Sequence, residues 1–329
     1  MVKNIVVVGC GHWGKNLVRN FYELGALAAV CDPNEELAKK YANEYSVESL
    51  SFEEVINDER IAGIVLAVPA PLHSSMAVAA MNKGKSVFVE KPIAMDEVEA
   101  KVMLDSAVEN KVQLMVGHLL QYHPVFIALR KLKESGELGS LQYLYSNRLS
   151  FGKVRSEEDV IWSFAPHDIS MVLSLIGHEP SLVKTESSAI LQADIADTAT
   201  VHMEFISGVK AHVSVSWLHP YKEQKLVVIG DAGMAVFDDT KPWAEKLALY
   251  RHQVDVTGLS PVLIKSEVQY VDVAESEPLK NECEHFMDVV GGRATPLTSG
   301  DEGLRVLKVL AAASLSATTG KAERMAAND

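Results

Sequence analysis

The 329 residues carry 31 basic and 44 acidic side chains for a net charge of −13, with 48% hydrophobic and 23% charged residues. This is the balance of an ordinary globular chain of about two domains, and its negative charge excludes phosphate backbones and anionic lipid as general partners, so neither nucleic acid nor membrane is expected. The three cysteines, Cys10, Cys31 and Cys283, are odd in number and lack a CxxC spacing, which speaks against a disulfide framework or a zinc knuckle and for a reducing, cytoplasmic setting.

The opening MVKNIVVVGC has neither the apolar length nor the cleavage site of a secretory signal. No apolar stretch approaches the ~20 residues needed to cross a bilayer. Over the first 120 residues, short branched apolar runs alternate with stretches of helical spacing. The runs are Ile5 to Val8, Ala28 to Cys31, Ile64 to Val68, Ser86 to Val89 and Gln113 to Val116. Helices are predicted over 14–24, 35–45, 72–83 and 95–110, with a short one over 52–56. Strand and helix alternating at this interval predict a doubly wound parallel α/β sheet, a Rossmann domain over 1–120.

Beyond Gln121 the texture changes to long segments alternating at period two: 141–151, 182–191, 198–206, 209–217, 225–229, 234–238, 246–251 and 263–271. Helical spacing recurs at 124–135, 162–175, 281–290 and 303–317. The expectation is an α+β domain over 121–329 with a large, mainly antiparallel open sheet, serving substrate binding and oligomerisation. One face of that sheet is expected to pair with another subunit, giving a homodimer or homotetramer.

The first strand runs into Gly9-Cys10-Gly11-His12-Trp13-Gly14, a GxGxxG that opens a helix. In that context the glycines permit a tight turn, close approach of a pyrophosphate and close helix–strand packing, while the helix N-terminus faces the anion. The second strand ends in Asp32, about 18 residues past Gly14 and near the ~20 expected of the carboxylate that binds ribose hydroxyls. Capping of the helix that begins near Asn34 is the alternative role for Asp32. A carboxylate repels a 2′-phosphate and no arginine follows it, so the expected cofactor is NAD rather than NADP.

Further on stand Val68-Pro69-Ala70-Pro71-Leu72-His73 and, at the end of a predicted strand, Glu90-Lys91-Pro92. With the early glycine loop and an antiparallel second half, the whole chain resembles the glucose–fructose oxidoreductase/inositol dehydrogenase (Gfo/Idh/MocA) family. The resemblance implies that Lys91 contacts both the nicotinamide ribose and the substrate, that the Lys91–Pro92 peptide is cis, and that Glu90 neighbours them. Cofactor contacts are also expected from His12 and Trp13 in the glycine loop, from Val68 and Pro69, and from His73 at the carboxyl edge of the fourth strand, where doubly wound sheets bind ligands, and the resemblance implies a catalytic histidine in the second domain. Here that histidine is His167, followed by Asp168, in Trp162-Ser163-Phe164-Ala165-Pro166-His167-Asp168, with Ser163 where the family usually has an aspartate.

Ser146-Asn147-Arg148 and Gly152-Lys153-Val154-Arg155 look like the branch acting on nucleotide-linked amino sugars, the UDP-N-acetylglucosamine 3-dehydrogenases. On that resemblance Arg148 and Arg155 are expected to hold a diphosphate through bidentate bonds. The alternative for them is ion pairing with Glu157, Glu158 or Asp159. His118, at the domain junction, is a candidate substrate contact, and Asp168 is a candidate for orienting the imidazole. No metal-ligand spacing and no GxSxG is present. The implied reaction is NAD-dependent oxidation at C3 of a UDP-linked N-acetylated hexosamine, its product suited to a pyridoxal-phosphate aminotransferase. A dehydrogenase of a free polyol such as inositol and a non-catalytic NAD-sensing protein of the same fold are the rival readings.

Overall fold

A computed structural model describes residues 3–325. The chain forms two compact units, one from the described residues up to Tyr122 together with Ser276–Leu307, the other from His123–Glu275 and the described residues from Lys308 onward.

The first unit is built on β1 (Ile5–Val8), β2 (Leu27–Cys31), β3 (Glu48–Ser49), β4 (Gly63–Leu66), β5 (Ser86–Glu90) and β6 (Leu114–Gly117). They lie in the order β3-β2-β1-β4-β5-β6, all parallel. The helices α1 (Gly14–Glu23), α2 (Glu35–Tyr45), α3 (Phe52–Asn57), α4 (His73–Met81) and α5 (Glu97–Asn110) make the crossovers. Strands β1, β4 and β6 are buried along their whole length, which is why they read as unbroken apolar runs rather than alternations. The strand order reverses between β1 and β4, and a crevice outside the carboxyl ends of the strands is expected there. The two exposed residues of β3 carry no apolar signal, so the sequence does not announce them.

The chain returns to this unit for α8 (Pro278–Val290) and the start of α9 (Gly300–Thr319). Leu279, Cys283 and Phe286 recur at helical spacing and sink into the core, where the Phe286 ring lies 6.3 Å from Phe21 and 5.6 Å from Phe88. Backbone closes the join, with Val116 N–H donating to Thr298 O at 2.8 Å. The first unit therefore uses two stretches of chain, whereas the sequence reading draws a single boundary near 120. Periodicity shows that α8 buries one face; it does not show against what.

The second unit holds α6 (Pro124–Glu134), α7 (Val160–Ile176) and the strands β7 (Leu141–Phe151), β8 (Leu182–Ser188), β9 (Thr198–Glu204), β10 (Lys210–Ser216), β11 (Leu218–Gly230), β12 (Met234–Asp238), β13 (Leu247–Tyr250), β14 (Gln253–Asp255), β15 (Val262–Ile264), β16 (Gln269–Tyr270) and β17 (Glu323–Arg324). Nine of them form one sheet in the order β16-β13-β12-β11-β7-β10-β9-β8-β17. The pairing is antiparallel except between β7 and β10. Alternation is clean in β9 and β10, where Ala199, Val201 and Met203 and then Ala211, Val213 and Val215 point into the core. The segment read as one strand over 263–271 is split: β15 pairs with β14 in a separate ribbon, and only β16 joins the large sheet. Among the described residues no helix is long and apolar enough to cross a membrane.

Candidate active site

The loop between β1 and α1 makes a cradle whose three glycines have different reasons. Gly9 sits at φ +92°, and a Cβ there would come within 2.5 Å of Ala67 O. A Cβ on Gly14 would overlap Gly9 O at 1.8 Å, whereas one on Gly11 would meet nothing within 4 Å. The fold needs Gly9 and Gly14, and Gly11 leaves open space. No side chain caps α1 and its first turn carries no acid, so its positive end is left to a ligand anion.

Asp32 follows β2 directly. Its Oδ2 accepts Cys10 N–H at 2.7 Å and its Oδ1 accepts Asn34 N–H at 2.9 Å. The cap of α2 is Asn34 itself, which accepts from Glu36 and Leu37, so Asp32 is not spent on capping. A carboxylate has about four lone-pair sites, and Asp32 lines a cleft of about 800 Å³ together with Gly9, Gly11, Val68 and Pro69. Ser51, Phe52, Leu72 and Met76 also line it. The sequence reading did not assign these four to the site, although Leu72 lies inside the Val68–His73 motif and Ser51 opens a capping box. Lys39 also lines the cleft, but its ammonium is matched by Glu35 at 2.9 Å. Burial, and then the Asp32 charge, push the Cys10 thiol up to about 12; burial and Asp32 push Cys31 up to about 11. Both remain thiols, without nucleophilic character. His12 is exposed on the loop.

At the exit of β5 the Lys91–Pro92 bond is cis. Glu90 ties the lysine turn to the glycine loop: Trp13 Nε1 donates to Glu90 Oε1 at 2.5 Å, and Lys91 N–H donates to Glu90 Oε2 at 3.3 Å. Burial pushes the Glu90 carboxyl up, against the pull of Trp13 and Lys91. The neighbouring β6 leaves room for it with Gly117, where a Cβ would lie 3.0 Å from Glu90 Oε2.

Behind this turn the structure gathers acids that the sequence reading did not single out. Glu302 accepts or shares a proton with buried His118 Nδ1 at 2.5 Å. Glu282 on α8 is 1% exposed, and burial together with the Glu90 charge pushes it well above the usual carboxylate range. Both come from the returning segment, so no local pattern could have joined them to the lysine turn. His118 is thus held inside the unit rather than displayed, and His73 is buried with both ring nitrogens on backbone carbonyls rather than turned to a ligand.

In the second unit His167 is half-buried on α7, one position after the intrahelical Pro166. Trp162 Nε1 donates to Ser314 Oγ at 2.8 Å, and Phe164 packs edge-on against fully buried Trp217. Ser163 is buried on the same helix. Asp168 accepts Ser146 Oγ–H at 2.5 Å and Arg148 Nε–H at 2.5 Å, with all three groups largely shut away from solvent. Arg148, expected on a diphosphate, is therefore the counter-ion of a buried acid. Arg155 pairs with Glu158 at 2.9 Å and stays 38% exposed. Among the described residues no group of His, Cys, Asp and Glu is arranged to hold a metal ion.

A doubly wound parallel sheet with this glycine cradle and a carboxylate lining the cleft beside it defines a dinucleotide-binding α/β protein. Residues 3–118 match the model of the oxidoreductase family with NAD-binding Rossmann fold, and residues 126–236 match the GFO/IDH/MocA C-terminal domain. The chain belongs to the Gfo/Idh/MocA oxidoreductase family, and its cofactor is NAD. It is similar to the UDP-N-acetylglucosamine 3-dehydrogenase of Acidithiobacillus ferrooxidans, 28% identical over 302 residues that make up 92% of this chain and 93% of that protein. A solved structure of a UDP-N-acetylglucosamine 3-dehydrogenase from the same organism superposes with a TM-score of 0.85 at 25% identity, covering 96% of this chain and 98% of that one. The scyllo-inositol 2-dehydrogenase (NAD(+)) of Bacillus subtilis is 27% identical over 333 residues, 95% of this chain and 94% of that protein.

Proposed function

We propose that this protein oxidises a secondary hydroxyl on a sugar ring, C3 of a UDP-linked N-acetylated hexosamine (UDP-N-acetylglucosamine or its uronate), giving the 3-keto nucleotide sugar. The observation that carries the reading is Lys91 at the exit of β5 in an NAD-binding sheet, in a chain similar over 92% of its length to a UDP-N-acetylglucosamine 3-dehydrogenase. Bound NAD supplies the hydride acceptor. The alcohol must also lose a proton: in this reading the Lys91 ammonium stabilises the developing alkoxide and the His167 imidazole accepts the proton. Of the two arginines, Arg155 is the one a diphosphate reaches without breaking a buried ion pair. The product is a ketone of the class that a pyridoxal-phosphate aminotransferase consumes.

The same reading takes the chain to be a homodimer or homotetramer. Tyr143, Tyr145 and His212 stand on one face of the large sheet, and Val254, Val262 and Leu263 are exposed on the β14–β15 ribbon. A monomer mass by light scattering at micromolar concentration would remove that part. A second reading, oxidation of a free polyol, has the inositol dehydrogenase relative in its favour. Titration with UDP alone separates the two: the first reading expects saturable binding that competes with UDP-N-acetylglucosamine. No binding of UDP, together with NADH formation from scyllo-inositol, is the outcome that selects the second.

A further inference from the structure

His73 is the first residue of α4 and is 1% exposed, yet it faces no acid or base at hydrogen-bond distance. Its Nδ1 lies 2.8 Å from Pro92 O and its Nε2 lies 2.9 Å from Val68 O. Burial holds the imidazole below its usual pKa, so the neutral ring donates to one of the two carbonyls at a time, according to its tautomer, while staying wedged between two turns at the carboxyl edge of the sheet, the exit of β4 and the lysine turn after β5.

The two turns are not equally anchored. Ala67, next to Val68, donates its N–H to Val8 O at 2.8 Å, and its own carbonyl lies where a Cβ on Gly9 would be, 2.5 Å away. The β4 exit is therefore fastened to β1 and seated against the glycine loop. Pro92 has no N–H to give to a ladder, and its carbonyl is the atom that His73 holds. A tie from the fixed turn to the other one sets where residue 91 stands relative to the glycine loop. A further tie, Trp13 to Glu90, joins the same loop to the same turn through a partly exposed indole.

We propose that His73 is a positioning residue for Lys91: its buried ring, wedged between Pro92 O and Val68 O, sets the lysine turn against the β4 exit, and so fixes the lysine in register with the cofactor loop without touching cofactor or substrate itself. The proposal rests on the reading of Lys91 as a group that handles the substrate hydroxyl. A misplacement of about 1 Å in such a group lowers turnover by up to about 100-fold, so loss of this one support is expected to cost about tenfold.

Two variants and two readouts test it. His73→Phe keeps a ring and removes both nitrogens; His73→Gln keeps a donor and serves as the second variant should the first not fold. With NAD bound, the side-chain carbon signals of labelled lysine are followed by NMR, Lys91 being assigned by its loss in Lys91→Met. In the same samples kcat and the NAD dissociation constant are measured. The expected result is a displaced Lys91 signal, kcat down about tenfold in His73→Phe and less in His73→Gln, and NAD affinity changed by less than about threefold. A folded His73→Phe with the wild-type Lys91 signal overturns the proposal, as does a loss confined to NAD affinity. The NMR readout needs no substrate. If the wild type fails to oxidise UDP-N-acetylglucosamine while His73→Phe moves the Lys91 signal, the substrate reading falls and the positioning role stands.

Discussion

In the first unit Asp32 accepts two backbone N–H groups and still lines a cleft wide enough for a ligand; in the second unit two buried acids, Asp168 and Asp197, are closed. Asp168 is matched by Arg148 and Ser146, and fully buried Asp197 is filled by the indole N–H of Trp217 and the backbone N–H groups of Ile190 and Leu191. An acid with lone pairs left over and a path to solvent is a binding group. An acid whose lone pairs are consumed inside the fold is a fastener, and removing its partner leaves a buried charge unmatched. Arg148 and Arg155, seven residues apart and alike in sequence, fall on opposite sides of that divide.

The largest effect expected from this contrast is on stability. Arg148→Met strands Asp168, and equilibrium denaturation should show a loss of about 3–5 kcal/mol, whereas Arg155→Met should change stability by less than about 1 kcal/mol and act on the KM for a UDP-sugar. Equal losses in the two variants would erase the distinction. Next come the chemical groups: Lys91→Met and His167→Asn should each lower kcat at least about 100-fold while calorimetry still shows NAD binding. Smaller is the effect expected of Gly11→Ala, whose new methyl finds open space in the fold but, with the glycine loop read as the cofactor cradle, would stand in the path of the ligand. Thermal unfolding should be unchanged and NAD affinity reduced about tenfold.

The smallest effect sharpens the account of the closed acids. Burial works to raise the Asp239 carboxyl, but His123 and Lys246 overcome it and bring its pKa down to about 2 from the usual 3.8. A depressed carboxyl stabilises the fold in full above its unfolded pKa and ceases to do so as pH falls through the folded one. Asp239→Asn should therefore cost on the order of 1 kcal/mol at neutral pH, and the gap between variant and wild type should close between about pH 4 and pH 2. A gap that persists at pH 2 would mean that the charge is not what stabilises.

The part of this molecule that was readable from sequence is the part whose chemistry is local. Gly9, Gly11 and Gly14 lie within six residues, Asp32 follows the very next strand, and Lys91 ends another strand of the same sheet, so spacing along the chain reproduces spacing in the fold. The parallel strands were legible for a related reason, since burial on both faces leaves an unbroken apolar run. What escaped was decided by distant pairing. Glu282 comes close enough to sense Glu90, and Glu302 reaches His118, both on a returning segment, and Arg148 finds Asp168 across twenty positions. His73 is named by the sequence among cofactor contacts, but only three dimensions show both its nitrogens on carbonyls. The ribbon of β14 and β15 escaped too, because a short exposed apolar run has the same alternation whether it joins the large sheet or leaves it.

The central claim concerns the substrate, and the direct measurement is turnover by the purified full chain with NAD and UDP-N-acetylglucosamine or its uronate. NADH is followed by absorbance and the nucleotide sugar by mass. The account predicts NADH formed in proportion to a product lighter by two hydrogens, trapped with deuterated borohydride to place the label at C3, and no comparable NADH from scyllo-inositol. NADH from scyllo-inositol with both UDP-sugars recovered unchanged would contradict it.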